Sequence, residues 1–305
     1  MKKQVRTVTE GAMMLAIIGV VLYLNRMSGQ ALMGFLVFIL PLPSIFYIAK
    51  YGPRQGLILS FVILLFPILI GDFIAMFYTG TAVAVGLVYG YGVYKDKDNG
   101  WLVITATIVS AISFYFEIYL LQSFVGADFI GELRLILEQF LIMANEAGLK
   151  GIPDNFMTLT LSLVPMMALI MSFGQAFVTH IAALILLQRL KIKTRKMRPL
   201  TEWVIPTKYA IFLAIGIFAN LGVQYTTNET LQILFNNVYF VSSLAFCIDA
   251  YIFVLFVARV SGKKLFVLLA ILVLFLPPFG ISIGLFDSFT DLRKRVLYNY
   301  AKPLR

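Results

Sequence analysis

The sequence predicts an all-α, polytopic membrane bundle of eight to nine transmembrane segments, with a six-span N-terminal module and a smaller C-terminal helical module. Three observations predict it. The 305 residues are 60% hydrophobic and only 13% charged, against roughly 45–50% and about 25% in soluble domains. Mean hydropathy is +0.90. Apolar runs near the ~20 residues that cross a bilayer recur along the whole chain.

Taken in order, the runs are residues 8–24, 31–49, 56–70, 73–94, 101–121, 159–187, 209–223, 231–257 and 265–285. The first follows Lys2, Lys3 and Arg6. No small-residue cleavage site follows it and further runs come directly after, so it reads as a retained span rather than a signal peptide. Lys50 and Arg54 follow the second run, Lys95 and Lys97 the fourth, and Arg259, Lys263 and Lys264 the eighth. After the sixth comes RLKIKTRKMR, which places Arg189, Lys191, Lys193, Arg195, Lys196 and Arg198 within ten positions. Every even-numbered exit is basic, so the positive-inside rule puts these loops and the N-terminus in the cytoplasm. The basic stretch is the strongest topology anchor and divides the chain into 1–188, a connection 189–205, and 206–305.

The loop 123–157 carries Asp128, Glu132, Glu138, Glu146 and Asp154 against Arg134 and Lys150. Within it, residues 130–147 are amphipathic. Glu132, Arg134, Glu138, Gln139, Asn145 and Glu146 share one half of a helical wheel, and Leu133, Ile136, Leu137, Phe140 and Leu141 the other. That pattern fits a helix lying on the outer surface or capping the bundle, with a lid over an outward-facing cavity as the alternative. The ninth run holds Pro277-Pro278, then Gly280 and Gly284, and is followed by Arg293, Lys294, Arg295, Lys302 and Arg305. Consecutive prolines break a helix. Two topologies remain: a broken or re-entrant segment that returns the tail to the cytoplasm, or a crossing that violates the charge rule.

Ionisable groups inside apolar runs are costly and point to function. Glu10 reads as interfacial and Asp72 as solvated at an outer turn. Glu117 falls in the outer half of the fifth run. His180 lies nine residues before Arg189 and Asp249 ten before Arg259, so both sit ~13–15 Å from the basic edge at 1.5 Å per residue. Matched depth permits an imidazole–carboxylate pair that relays a proton or contacts a polar ligand; separate satisfaction of each group is the alternative. With Gln175, these residues form a candidate intramembrane polar site. Two small-residue faces, Ala82/Gly86/Gly90 and Ala12/Ala16, are candidate helix-docking faces, inside the bundle or toward a partner.

A net charge of +10 fits the positive-inside bias and an anionic leaflet better than nucleic acid, for which no basic domain stands outside the membrane. Cys247 and His180 are the single cysteine and histidine, which leaves no multi-Cys or multi-His metal site. Neither HExxH nor a lysine-bearing phosphate loop occurs. The expectation is a protein that is not an enzyme, with no cofactor and no metal.

The run Gly284-Leu285-Phe286-Asp287-Ser288-Phe289-Thr290-Asp291-Leu292-Arg293-Lys294-Arg295 resembles the ending of the YybS-like family. Pro41-Leu42-Pro43 with Tyr51-Gly52-Pro53-Arg54-Gln55-Gly56, and Thr9-Glu10-Gly11-Ala12, resemble that family's earlier spans. The resemblance implies a multi-pass protein of the plasma membrane of Gram-positive bacteria with no established activity. The part before the basic stretch is also similar to the S components of energy-coupling-factor transporters and to MreD-type proteins; in the former an AxxxA patch like Ala12/Ala16 meets the coupling subunit. The functional expectation is transport-related binding of a small molecule or lipid between helices. The alternative is a non-catalytic envelope scaffold docking another membrane protein. Membrane lipid is the common partner of both.

Overall fold

The computed structural model describes residues 2–149, 151–152, 155–197 and 199–301. Arg198 of the basic stretch, Lys150 and Asp154 of the long loop, and Lys302 and Arg305 of the tail lie outside the described residues. Every regular element among those described is helical. In order they are α1 Lys2–Met27, α2 Met33–Ile39, α3 Pro41–Tyr51, α4 Pro53–Leu69, α5 Phe73–Tyr94, α6 Asn99–Val125, α7 Phe129–Glu146, α8 Phe156–Ser162, α9 Val164–Arg189, α10 Thr207–Ile217, α11 Ala219–Val223, α12 Glu229–Ser261, α13 Leu265–Phe275, α14 Pro277–Phe289 and α15 Leu292–Ala301.

Local sequence sets the ends. Asp72, Asp98 and Asp128 each accept the backbone N–H three residues on, at 2.9, 3.1 and 3.0 Å, and so start α5, α6 and α7. Asn228 does the same for α12. Such caps satisfy donors that no helix can satisfy internally. Asp72 is therefore a buried cap, 6% exposed, and not the solvated turn residue expected from sequence. Gly126 and Gly262, at φ 74° and 69°, close α6 and α12 in the left-handed conformation that glycine adopts without strain.

Among the described residues six helical stretches are long and apolar enough to cross a bilayer: Val5–Met27, Met33–Tyr51, Phe73–Tyr94, Asn99–Val125, Val164–Arg189 and Glu229–Ser261. Counting the bent pair Leu265–Val273 with Pro277–Phe289 gives seven. This is fewer than the expected eight to nine because Pro53–Leu69 and Thr207–Val223 are shorter apolar helices. At 17 residues, α4 is about 25 Å long, less than the ~30 Å hydrocarbon core.

The chain forms two compact units, Met1–Met157 with Met167–Lys196, and Thr158–Met166 with Met197–Arg305. In the N-terminal unit α5 is the packing centre, with α3, α4 and α6 against it. Its core includes Ile18, Leu22, Ile45, Tyr89 and Leu187. The Ala82/Gly86/Gly90 face is taken up by α3. A Cβ at Gly86 would stand 2.7 Å from Ser44 Cβ, and one at Gly90 2.9 Å from Ile48 Cβ. That face packs inside the unit and offers nothing to a partner, whereas Ala12 and Ala16 are exposed. In α7, Leu137 and Ala144 are buried and Leu133 and Leu141 half-buried, a stripe at helical spacing. Ile136 and Phe140, expected on that stripe, point out instead, at 61% and 43% exposure.

The C-terminal unit is arranged along α12. Asn237 joins the start of the unit to it: its Nδ2 donates to Ser162 O at 2.6 Å and its Oδ1 accepts from Met166 N at 2.9 Å. From Gly262 the chain runs back along α12, so that Ala270 and Val273 cluster with Ala250 and Val254. At the double proline it bends by 109°. Pro277 O lies 3.7 Å from Cys247 Sγ, twelve residues and about 18 Å from Arg259 along the helix. The chain then returns: Ser288 reaches Asp249, and the Arg293 guanidinium lies 5.5 Å from the Phe256 ring. Arg259 and Arg293 meet on one residue, donating to Thr201 Oγ1 at 3.0 Å and Thr201 O at 2.9 Å. The ninth apolar run is thus a sharply bent helix pair: α13 runs back along α12, α14 crosses α12 at the level of Phe246 to Asp249, and the chain beyond it brings Arg293 toward the end of α12 where Arg259 lies.

Candidate functional site

The strongest polar constellation in the C-terminal unit joins three elements. Asp249 projects from the middle of α12. Asp287 and Ser288 end α14, and Arg293 opens α15. In an unbroken helix, positions six apart are about 240° round the axis and do not meet. Thr290, extended at φ −129° and ψ 162°, breaks the helix and swings Arg293 back onto Asp287. The guanidinium donates to Asp287 through Nη2 to Oδ2 at 2.6 Å and Nε to Oδ1 at 3.2 Å, the two-pronged geometry that arginine favours. Asp249 lies 3.8 Å from Arg293 Nη2. It also accepts from Ser288 Oγ at 3.1 Å and from the Ile205 N–H at 3.4 Å. Both carboxylates are buried. Buried charges persist only when paired and hydrogen-bonded, and here every guanidinium nitrogen has a partner.

Beside this network lies a cavity of about 500 Å³. Phe253, Val254 and Val257 of α12, Phe266, Leu269, Leu272 and Val273 of α13, Leu276, Phe279 and Ile283 at the bend and in α14, and Val296 of α15 line it. All are apolar. Val257 adjoins Phe256, and Val296 is one turn beyond Arg293, so cavity and network share a wall. The volume falls in the range of roughly 300–1,000 Å³ typical of ligand sites.

The sequence-predicted polar site is not brought together. In the N-terminal unit, His180 is fully buried and its Nδ1 lies 2.7 Å from Tyr89 Oη. Gln175 accepts from Ser110 Oγ at 2.7 Å and donates to Val37 O at 3.3 Å. Glu117 accepts from Thr81 Oγ1 at 3.2 Å. Asp249 belongs to the C-terminal unit, with the partners given above. In place of the expected imidazole–carboxylate pair, each group has its hydrogen-bond partners within its own unit, His180 through Nδ1 alone. Glu10 holds Lys50 at 2.7 Å and Arg6 at 2.9 Å.

The Tyr89–His180 contact has a measurable consequence. His180 Nε2 is buried with no partner among the described residues, so Tyr89→Phe leaves the whole imidazole unpaired among them. The expected cost is about 1–3 kcal/mol, read as a lower thermal midpoint in detergent. His180→Leu added to Tyr89→Phe should restore part of the loss. A Tyr89→Phe protein as stable as the parent would show that the bond contributes nothing.

The basic stretch sits on the α5–α6 turn of the N-terminal unit. Arg195 pairs with Asp96 at 3.3 Å, and Asn99 Nδ2 donates to the carbonyls of Arg195 and Lys196. The Arg195 guanidinium holds the Asp96 carboxyl below the usual aspartate range. Arg189, Lys191 and Lys193 are exposed.

Sequence reasoning missed Tyr89, Asp287, Ser288 and Arg293. The last three stand inside the run that carries the family resemblance, where the tail's charges bear only on topology. A Gly-x-Ser-x-Gly run also occurs, at residues 280–284. It lies within α14 and not on a strand-to-helix elbow, Ser282 donates to Pro278 O at 2.8 Å, and His180 belongs to the other unit. It is helix and lacks the strand-to-helix elbow that exposes the serine in that motif.

Long apolar helices, a sharply bent C-terminal helix pair and a buried acid–guanidinium network define a polytopic helical membrane protein. The sequence profile described as "Predicted membrane protein (DUF2232)" matches residues 14–288, and the chain belongs to that family. It is 22% identical over 224 residues to "Uncharacterized protein YybS" of Bacillus subtilis (strain 168), covering 70% of this chain and 72% of the relative. No solved structure matches the chain.

Proposed function

We propose that this protein binds a lipid or similar long-chain amphiphile between the helices of its C-terminal unit, as a transport-related and non-catalytic membrane protein. The observation that carries this reading is the apolar cavity in the crook of the α13–α14 bend. The bend leaves an apolar concavity between α12, α13 and α14 of a volume that ligand sites commonly have. The wholly apolar lining favours a hydrocarbon chain over a polar solute. The scaffold alternative rests on the exposed Ala12/Ala16 face alone, and the cavity outweighs it.

A phospholipid carrying a photoreactive group on its acyl chain tests the reading. Irradiation of the full-length protein in bilayers, followed by peptide mapping, is expected to concentrate label on residues 253–257 and 266–283. Leu269→Trp, which fills the cavity, should remove that excess. Label spread evenly over all lipid-facing helices sinks the proposal and shifts the balance to the scaffold.

A further inference from the structure

Resting on that reading, we infer that the amphiphile is an anionic phospholipid, with one acyl chain in the cavity and its phosphate held by Lys263, Lys264 and Arg295. An apolar pocket alone discriminates poorly in a membrane, because lipid tails are as apolar as the side chains they would replace. Selection must come from the headgroup. The bent pair gathers cations where the cavity reaches its basic end. Lys264 stands two residues before the lining residue Phe266, and Arg295 immediately before Val296.

The charges around that end are not equivalent. Arg293 is paired with Asp287 and Asp249, and Lys294 with Asp291 at 2.7 Å, whereas Arg259 donates to the neutral Thr201 hydroxyl. Lys263, Lys264 and Arg295 are exposed, and no carboxylate among the described residues lies within ion-pair distance of them. Glu202, exposed on the short 3₁₀ turn Leu200–Glu202 that packs on α12, and Asp291, which feels Arg295 as well as Lys294, are the acids nearby. Exposed cations and the apolar cavity they flank along the chain match the two ends of an acidic phospholipid. The positive-inside rule places them at the cytoplasmic headgroup level.

The test uses full-length protein extracted from bilayers of equal phosphatidylglycerol and phosphatidylcholine, with retained lipid counted by mass spectrometry. Each basic residue near a headgroup gives about a fivefold preference for anionic lipid, so phosphatidylglycerol is expected to be enriched at least about fivefold over the bulk. The variant K263Q/K264Q/R295Q should bring the ratio to that of the bulk while a chain is still retained. Leu269→Trp should lower retention of both lipids and lose the enrichment with it. A wild-type ratio equal to the bulk overturns the headgroup inference, yet leaves the cavity reading standing if Leu269→Trp still reduces retention. Enrichment that survives Leu269→Trp but not the charge variant is attraction to the protein surface and also overturns it. Unchanged retention in Leu269→Trp overturns the cavity reading itself.

Discussion

Replacing Arg293 with methionine is expected to destabilise the C-terminal unit by about 3–5 kcal/mol, the usual cost of removing one partner from a buried ion pair. The side chain is 13% exposed, and its carboxylate partners Asp249 and Asp287 are 2% and 0% exposed. Methionine keeps much of the volume but leaves two acids facing each other without a counter-charge. It also abandons the Thr201 carbonyl and the Phe256 ring. Limited proteolysis of purified protein should show cleavage within 197–305 at temperatures where the N-terminal unit stays intact. The charge argument makes a second demand. Asp287→Asn added to Arg293→Met should recover a substantial part of the loss, because it removes an orphaned charge, whereas a purely steric role for Arg293 gives no such recovery. Arg293→Lys should fall between, since an ammonium cannot make the two-pronged contact with Asp287. A methionine variant with parental stability would mean that the network is not what holds α14 and α15 to α12.

The sequence makes the helices legible because their signals are local: apolar runs, Asp and Asn caps, glycine ends. The double proline likewise announces a break by its chemistry alone. Adjacency across the bundle is not local, and here the sequence misleads. His180 and Asp249 share a depth, but depth along a helix fixes one coordinate and leaves the lateral position open. Their units differ, and each found its partner inside its own. Arg293 shows the opposite failure. As one of several tail cations it reads as a charge-rule violation. It becomes a buried partner of Asp287 only because Thr290 turns extended and because the bent pair brings the chain back toward the Arg259 end of α12. That return follows from a bend past 90°, and the presence of Pro277-Pro278 does not specify an angle. Span count fails for a related reason. The runs 56–70 and 209–223 are apolar enough for a membrane, but composition does not state whether a helix of 17 residues or a broken one reaches both faces.

Gly284→Ala is expected to be the most damaging single-methyl change in the chain, costing about 3 kcal/mol, at the upper end for overpacking. A Cβ at position 284 would stand 2.1 Å from Phe246 O, 2.8 Å from Phe246 C and 2.9 Å from Phe246 Cα. These are backbone atoms of α12, so no side-chain rotation relieves the clash and the two helices must separate. Small residues permit such close approach in membranes, where packing must do what hydrophobic association does in water. Separation at Gly284 reaches the network at once, because Ser288, one turn on, holds Asp249 at 3.1 Å. Two comparisons isolate the cause. Gly280→Ala meets the Cys247 sulfur at 2.8 Å but backbone only at 3.1 Å, from Val273 O, and should cost less. Gly174→Ala meets nothing within 4 Å and should cost nothing, since alanine is the better helix former. Thermal midpoints should therefore fall in the order Gly174→Ala, Gly280→Ala, Gly284→Ala. If all three variants melt together, close α12–α14 contact is not what fixes the bent pair. If the order holds, the photolabelling at residues 266–283 should weaken in Gly284→Ala as well, because the same contact that seats the bent pair also closes the cavity.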